Sequence, residues 1–309
     1  MNRKIIMDCD PGQDDAMALM LAASKISGLQ IEAITTVAGN VNVEKNTRNA
    51  LRLCDLLGLQ DVPVAQGASR PLFREMLIAE HIHGESGLDG TTLPEQPVKQ
   101  PVDQHGVDLM IDKLIEADEP ITLVPTGPLT NVAMAFRKEP AILPKVKEIV
   151  LMGGGTYGNR TPAAEFNIYA DAEAAKVVFD SGVPVAMFGL DVTHQALATA
   201  ETIEEIKTID NPVATAVSEM LTFYMNAYQG LPGFTGAAIH DPCPVAYLID
   251  PFIFEMEKVH VDVETKGEFT YGMTCITKGV SDTNTNFACK LHQKKFWDLF
   301  YRALQSYSN

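Results

Sequence analysis

Short apolar, β-rich runs alternate with helix-period segments through the first two thirds of this chain. Residues 4–7, 31–38, 62–65, 121–125, 149–152 and 183–189 read as strands, and several are apolar on both faces. That pattern suits parallel strands covered by helices on each side. Between them, 14–24, 43–57, 106–117, 130–137 and 172–181 read as helices. The alternation predicts right-handed βαβ crossovers and an α/β fold, an open, doubly wound, mainly parallel sheet with helices on both faces. Binding sites in such sheets lie beyond the carboxyl ends of the strands. After Asp191 the pattern changes: helices are expected at 211–228, 242–248 and 293–305, with an antiparallel pair at 258–264 and 270–276. With neither an internal repeat nor a low-complexity linker, residues 1–309 are expected to form one domain.

At 46% hydrophobic and 21% charged, the 309 residues can build a large core, which excludes a disordered chain. The formal net charge of −16 argues against nucleic acid as a partner, because phosphate contacts need clustered positive charge. Cys9, Cys54, Cys243, Cys275 and Cys289 are widely spaced and include no Cys-x-x-Cys pair, so they read as small buried hydrophobes in a reducing compartment. The first eight residues reach a carboxylate without an apolar leader, and no run approaches the roughly 20 apolar residues of a membrane span. A soluble, cytoplasmic protein is expected.

The first strand runs into Asp8-Cys9-Asp10-Pro11-Gly12-Gln13-Asp14-Asp15, four carboxylates in eight residues. Packed so closely they repel one another unless a cation neutralises them. Oxygen-only ligands point to a hard ion, Ca²⁺ or Mg²⁺, rather than zinc. A solvated acidic turn with an N-cap is the plainer alternative. An EF-hand fails, because its bidentate Glu would fall on Leu19 or Leu21. A phosphatase with Asp8 as nucleophile does not explain why Asp14 and Asp15 follow so closely. Gly153-Gly154-Gly155-Thr156-Tyr157-Gly158 matches G-x-G-x-x-G, yet helix signals resume only near Asp171, so dinucleotide binding is not expected. Asn159, Glu165 and Asn167 in that stretch offer two amides and a carboxylate for sugar hydroxyls. His240-Asp241-Pro242 marks a loop-to-helix boundary where Asp241 is either an N-cap or a ligand.

Together these segments resemble the nucleoside hydrolase family, the calcium-dependent N-ribohydrolases of the inosine-uridine type. The resemblance rests on the 8–16 acidic segment, Ala38-Gly39-Asn40, His83-Gly84, 126–131, Met152-Gly153-Gly154, Glu165-Phe166-Asn167 and His240-Asp241-Pro242. It implies Ca²⁺ held by Asp10, Asp15, the Thr126 carbonyl and Asp241. It implies a ribose held by Asp14, Asn159, Glu165, Asn167 and Asp241, with Asn40 and Met152 nearby. Asp10 would take a proton from the calcium-bound water. His240 would meet the leaving base, with His83 near the base and Tyr228 bordering the pocket. Gly230-Leu231-Pro232-Gly233-Phe234 departs from relatives that carry Tyr or His in this loop, and Thr277 stands where an Asp is frequent. The first departure, with segments 83–87 and 189–194, favours pyrimidine ribonucleosides such as uridine and cytidine over purine or unselective cleavage. A calcium- and nucleoside-binding protein without catalysis is the alternative from another class. A homotetramer is implied by the resemblance alone.

Overall fold

The structure is a computed structural model that describes residues 2–230 and 233–308, so Leu231 and Pro232 of the loop singled out above lie outside the described residues. The chain begins β1 (Arg3–Cys9), α1 (Gln13–Ala23), β2 (Leu29–Thr36), α2 (Val43–Leu57), β3 (Val64–Gln66) and α3 (Glu80–His83). It continues through α4 (Gly106–Glu116), β4 (Ile121–Pro125), α5 (Thr130–Lys138), β5 (Val146–Met152), α6 (Phe166–Ala170), α7 (Ala172–Phe179) and β6 (Val185–Phe188). Then come α8 (Leu190–Thr193), β7 (Leu197–Ala198), α9 (Ala200–Lys207), α10 (Pro212–Tyr228), β8 (Ala237–Ala238) and α11 (Pro242–Ile249). The chain closes with β9 (Phe254–Val263), β10 (Thr274–Lys278), β11 (Thr285–Leu291) and α12 (Gln293–Gln305).

Among the described residues one nine-stranded sheet runs β10-β9-β11-β6-β5-β4-β1-β2-β3. From β11 to β3 every neighbouring pair is parallel, and β9 is antiparallel to both β10 and β11. Chain order reverses between β1 and β4, which opens a crevice at their carboxyl ends. The two-residue period of a strand divides the core. Ile5, Met7, Cys9 and Val150 face a layer built from α1, α2 and α9–α12, whereas Ile6, Ile149 and Leu151 face α4, α5 and α7. Each fully buried Leu, Ile or Met contributes about 1.5–3 kcal/mol by leaving water, so both layers hold the sheet. α1 is buried from Gln13 to Ala22 and is therefore apolar on nearly every side beyond its first turn.

Several elements differ from the sequence reading. β11 went unread because Thr285, Asn286 and Lys290 dilute its apolar alternation, although it lies inside the sheet between β9 and β6. α9 was also missed, and it is capped by Thr199 accepting from Thr202 N. β10 starts at Thr274 rather than 270, because Gly272 adopts φ 78° in a turn where its N–H bonds Glu264 O. Helical structure resumes at Phe166, before Asp171, because the Glu165 side chain caps α6. The Gly153–Gly158 segment leads into no helix of its own, and the next helix begins only at Phe166. Cys9, Cys54 and Cys243 are buried and free, but Cys275 and Cys289 are only half-buried. Among the described residues no helix is long and apolar enough to cross a membrane.

Candidate active site

The crevice between β1 and β4 opens into a cavity of about 270 Å³. Its lining includes Asp10, Asp14, Asn40, His83, Thr126, Met152, Asn159, Glu165, Asn167, Tyr228, His240 and Asp241, every candidate except Asp15. Asp15 lies buried behind them at the start of α1. The topology explains the gathering: β1 carries Asp10 past its end, β4 delivers Thr126, β5 ends on Met152, and the chain between β8 and α11 returns Asp241.

The acidic end is pinned by backbone and amides. Asp10 Oδ2 accepts from Asn40 N at 2.7 Å, while Asn40 Nδ2 donates to Asp10 O at 2.9 Å and to Asp15 Oδ2 at 3.3 Å. Asp15 also accepts from Gly12 N at 3.0 Å and from Thr126 Oγ1 at 2.7 Å. A Cβ on Gly39 would lie 2.1 Å from Asp10 Oδ2, and one on Gly127 would lie 2.5 Å from Asp10 Oδ1. Both glycines are therefore required by close approach rather than by φ. Asp8, just behind, accepts from Thr35 Oγ1 and Asn131 Nδ2 and fastens β1 to its neighbours.

Burial raises the pKa of Asp10, Asp14, Asp15 and Asp241, and mutual repulsion adds to it at Asp10, Asp14 and Asp241; Asp14 is pushed to about 7. Burial likewise brings Asp8 to about 7. The Lys and Arg ion pairs of the described residues all involve other carboxylates. Asp14, Asp15 and Asp241 each bring an oxygen within 4.8 Å of the others, and Asp14 Oδ1 is buried without a hydrogen-bond partner. Uncompensated buried carboxyls with an orphaned oxygen suit a hard cation. Asp14, read from the sequence as a ribose ligand, lies beside Asp15 and Asp241, and Asp10, read as a metal ligand, lines the same cavity. Asp241 occupies the N-cap position of α11 but makes no capping bond, which leaves its carboxyl free for the cavity.

These shifts make stability depend on pH. The acids bind protons more readily folded than unfolded, so their contribution is full below about pH 4 and is lost as pH rises through about 7. Calorimetry of metal-stripped protein should show a melting temperature several degrees lower at about pH 8 than at about pH 5.5, with a divalent cation erasing most of the difference. A melting temperature that is flat or rises over that interval would contradict the assignment.

Glu165 is more heavily used than the sequence suggested. It accepts from Asn167 N at 2.8 Å, Ile168 N at 3.1 Å and Gly154 N at 2.8 Å, clasping α6 to the end of β5. Asn167 Nδ2 donates to Thr126 O at 2.7 Å and to Met152 O at 3.2 Å. Asn159 Oδ1 accepts from Phe166 N. At the other end of the cavity lie rings. His83 stacks on Tyr224 at 5.4 Å, and Tyr228 meets Phe234 at 5.1 Å. Burial holds His240 far below the ordinary imidazole value, with His194 and His83 acting in the same sense, so it is neutral. His194, Tyr224 and Phe234 also line the cavity and were missed as site residues. His194 and Phe234 fall in the 189–194 and 230–234 segments already singled out for base preference, whereas no motif marked Tyr224.

The comparisons agree with this arrangement. The profile of the inosine-uridine preferring nucleoside hydrolases matches residues 5–298. The chain is 49% identical over 313 residues to the pyrimidine-specific ribonucleoside hydrolase RihA of Photobacterium profundum, covering 99% of this chain and 100% of that one. It is 47% identical to the RihA of Salmonella agona, covering 98% and 99%. Among solved structures, the plant nucleoside hydrolase PpNRh1 superposes with a TM-score of 0.91 at 32% identity, covering 99% of both chains. A purine-preferring ribonucleoside hydrolase from Gardnerella vaginalis gives 0.90 at 32% identity, covering 98% of both. With the strand order, the acid cluster and the whole-length match in agreement, the chain belongs to the inosine-uridine preferring nucleoside hydrolase family and is a ribonucleoside hydrolase acting on N-glycosyl bonds.

Proposed function

We propose that this enzyme cleaves pyrimidine ribonucleosides, uridine and cytidine, to free base and ribose, with a Ca²⁺ ion at the acid cluster. The observation that carries the chemistry is the convergence of buried, cation-free carboxyls and amides on one cavity end, with Asp14 Oδ1 left unpartnered. Asp10, Asp15 and Asp241 with the Thr126 carbonyl would hold the ion, and Asp14 would border it. When bound, the ion orients the attacking water and lowers its pKa, though less than zinc would. Asp10 accepts the proton from that water. Asp14, Asn159, Glu165, Asn167 and Asp241 face the ribose, where their oxygens stabilise the positive charge that develops as the glycosidic bond breaks. His240 meets Thr193 Oγ1 through Nδ1 at 2.8 Å and Tyr228 Oη through Nε2 at 3.0 Å, and it would lie against the leaving base, with His83 nearby and Tyr228 bordering the pocket. Residues 1–309 act as one hydrolase domain, in a cytoplasmic homotetramer.

The pyrimidine preference is supported by the names of the relatives at 47–49% identity and by the absence of a donor side chain in the sequence of the 230–234 loop. Measuring kcat/KM for uridine, cytidine and inosine tests it. Uridine and cytidine should exceed inosine by at least about tenfold, the discrimination available from one to two unpaired groups. A preference for inosine would overturn it. The ribose assignment has its own test. A 2′-deoxyuridine substrate leaves buried carboxyl or amide groups unpaired, each costing about 1–3 kcal/mol, so its kcat/KM should fall by about tenfold to more than a hundredfold. Equal cleavage of uridine and 2′-deoxyuridine would remove Asp14 and Asn167 from the ribose.

A further inference from the structure

The cavity is lined by His83, His194 and His240, and their ring nitrogens are engaged differently. His240 has both nitrogens on hydroxyls, as described above. His83 sets Nδ1 on Gln13 Oε1 at 2.7 Å. In His194, Nδ1 lies 3.0 Å from Tyr157 Oη, and the same hydroxyl lies 3.1 Å from Leu190 O. A phenol has one hydrogen, and a carbonyl can only accept it. Making both contacts therefore requires Tyr157 to donate to Leu190 O and His194 Nδ1–H to donate to Tyr157 Oη. The other nitrogen, Nε2, is then a bare lone pair, and it has no hydrogen-bond partner among the described residues. The arrangement is anchored. Asp191 accepts from Thr156 N at 2.8 Å and from Thr156 Oγ1 at 2.5 Å, which fixes the turn that carries Tyr157.

The surroundings place this imidazole among the aromatic rings of the cavity. The His194 ring packs edge-on to Phe234 at 4.9 Å and to His240 at 5.4 Å, and Phe234 in turn meets Tyr228. Such a group of rings suits a flat heterocycle, while the acids occupy the opposite end. A hydrogen-free nitrogen repels carbonyl oxygens and attracts an N–H. We propose that His194 is a specificity-determining residue whose Nε2 accepts the ring-edge N–H of a pyrimidine: N3–H of uracil or the 4-amino group of cytosine. Tyr157 is the positioning residue that holds the required tautomer. This inference rests on the reading of pyrimidine ribonucleosides as substrates.

The test compares uridine with 3-methyluridine, in which the N–H is replaced by a methyl group. Each enzyme is scored by the ratio of its two kcat/KM values, so a loss common to both substrates cancels. Wild type should favour uridine by about 10–100-fold, and in His194→Ala the ratio should fall to within about threefold of unity. Tyr157→Phe removes the hydroxyl that fixes the tautomer and should give an intermediate ratio. A wild-type ratio near unity, or an unchanged ratio in folded His194→Ala, overturns the proposal. Should His194→Ala fail to fold by circular dichroism, Tyr157→Phe decides: an unchanged ratio overturns the proposal and a reduced one supports it. A wild-type enzyme that cleaves inosine but not uridine would defeat the substrate reading instead, and is distinguished by that pattern.

Discussion

Removal of all divalent cations should abolish uridine cleavage, and Ca²⁺ should restore it. The expectation follows from the buried Asp10, Asp14, Asp15 and Asp241, whose carboxyls have no Lys or Arg counter-charge among the described residues. Without an ion, burial and repulsion hold protons on these groups, with Asp14 at about 7. A protonated Asp10 cannot accept a proton from water, and a protonated Asp14 offers the ribose one acceptor fewer. Activity after exhaustive chelation, measured beside the metal content of the same sample, decides the point. Full turnover with no bound metal would remove the ion from the mechanism. Recovery with Zn²⁺ but not with Ca²⁺ or Mg²⁺ would contradict the hard-ion reading of an all-oxygen donor set.

Asp10→Asn should lower kcat by about 10²–10⁴-fold for every nucleoside, the range typical of losing a general base. The substitution is nearly isosteric. The carboxyl is gripped between Gly39 and Gly127, and Asn40 N needs only an acceptor, which the amide oxygen supplies. Folding and KM should therefore change little while kcat falls. Uridine and inosine should be affected alike, because the base plays no part in activating water. A loss below about tenfold would assign proton removal to another group. A loss confined to one base would move Asp10 from the sugar end to the base end.

Much of this site was readable before any coordinates, for a physical reason. Parallel strands buried on both faces announce themselves as apolar runs, and their carboxyl ends are where the chain places polar residues, so the acidic segment after the first strand stood out, whereas Thr126 and Met152 came from the family resemblance. Val43–Leu57 and Gln293–Gln305 were read to the residue, because each has a strong apolar stripe. Asn42 capping Lys45 N and Gly58 at φ 72° also mark both ends of the first of them. Other features left weak traces. β11 has a mixed composition, since its place between β9 and β6 supplies the ordering that its sequence does not. The heavy use of Glu165 by three backbone N–H groups was invisible, because a capping carboxylate and a ligand carboxylate have the same sequence. The pairing of His194 with Tyr157, residues far from the acids in sequence, became legible only in the fold.

The two ends of the cavity come from different parts of the chain. Asp10, Thr126 and Met152 follow or end strands locked by neighbours on both sides within the parallel sheet. Tyr228 ends α10, Phe234 lies in the loop beyond it, and His194 follows α8, all outside the large sheet. Substitutions at this second set can alter which heterocycle departs without shifting the atoms that attack the sugar. Selection can therefore retune the leaving group in small steps while sugar cleavage stays constant. A lineage built on this layout is expected to diversify in the base it releases long before it diversifies in the sugar it opens.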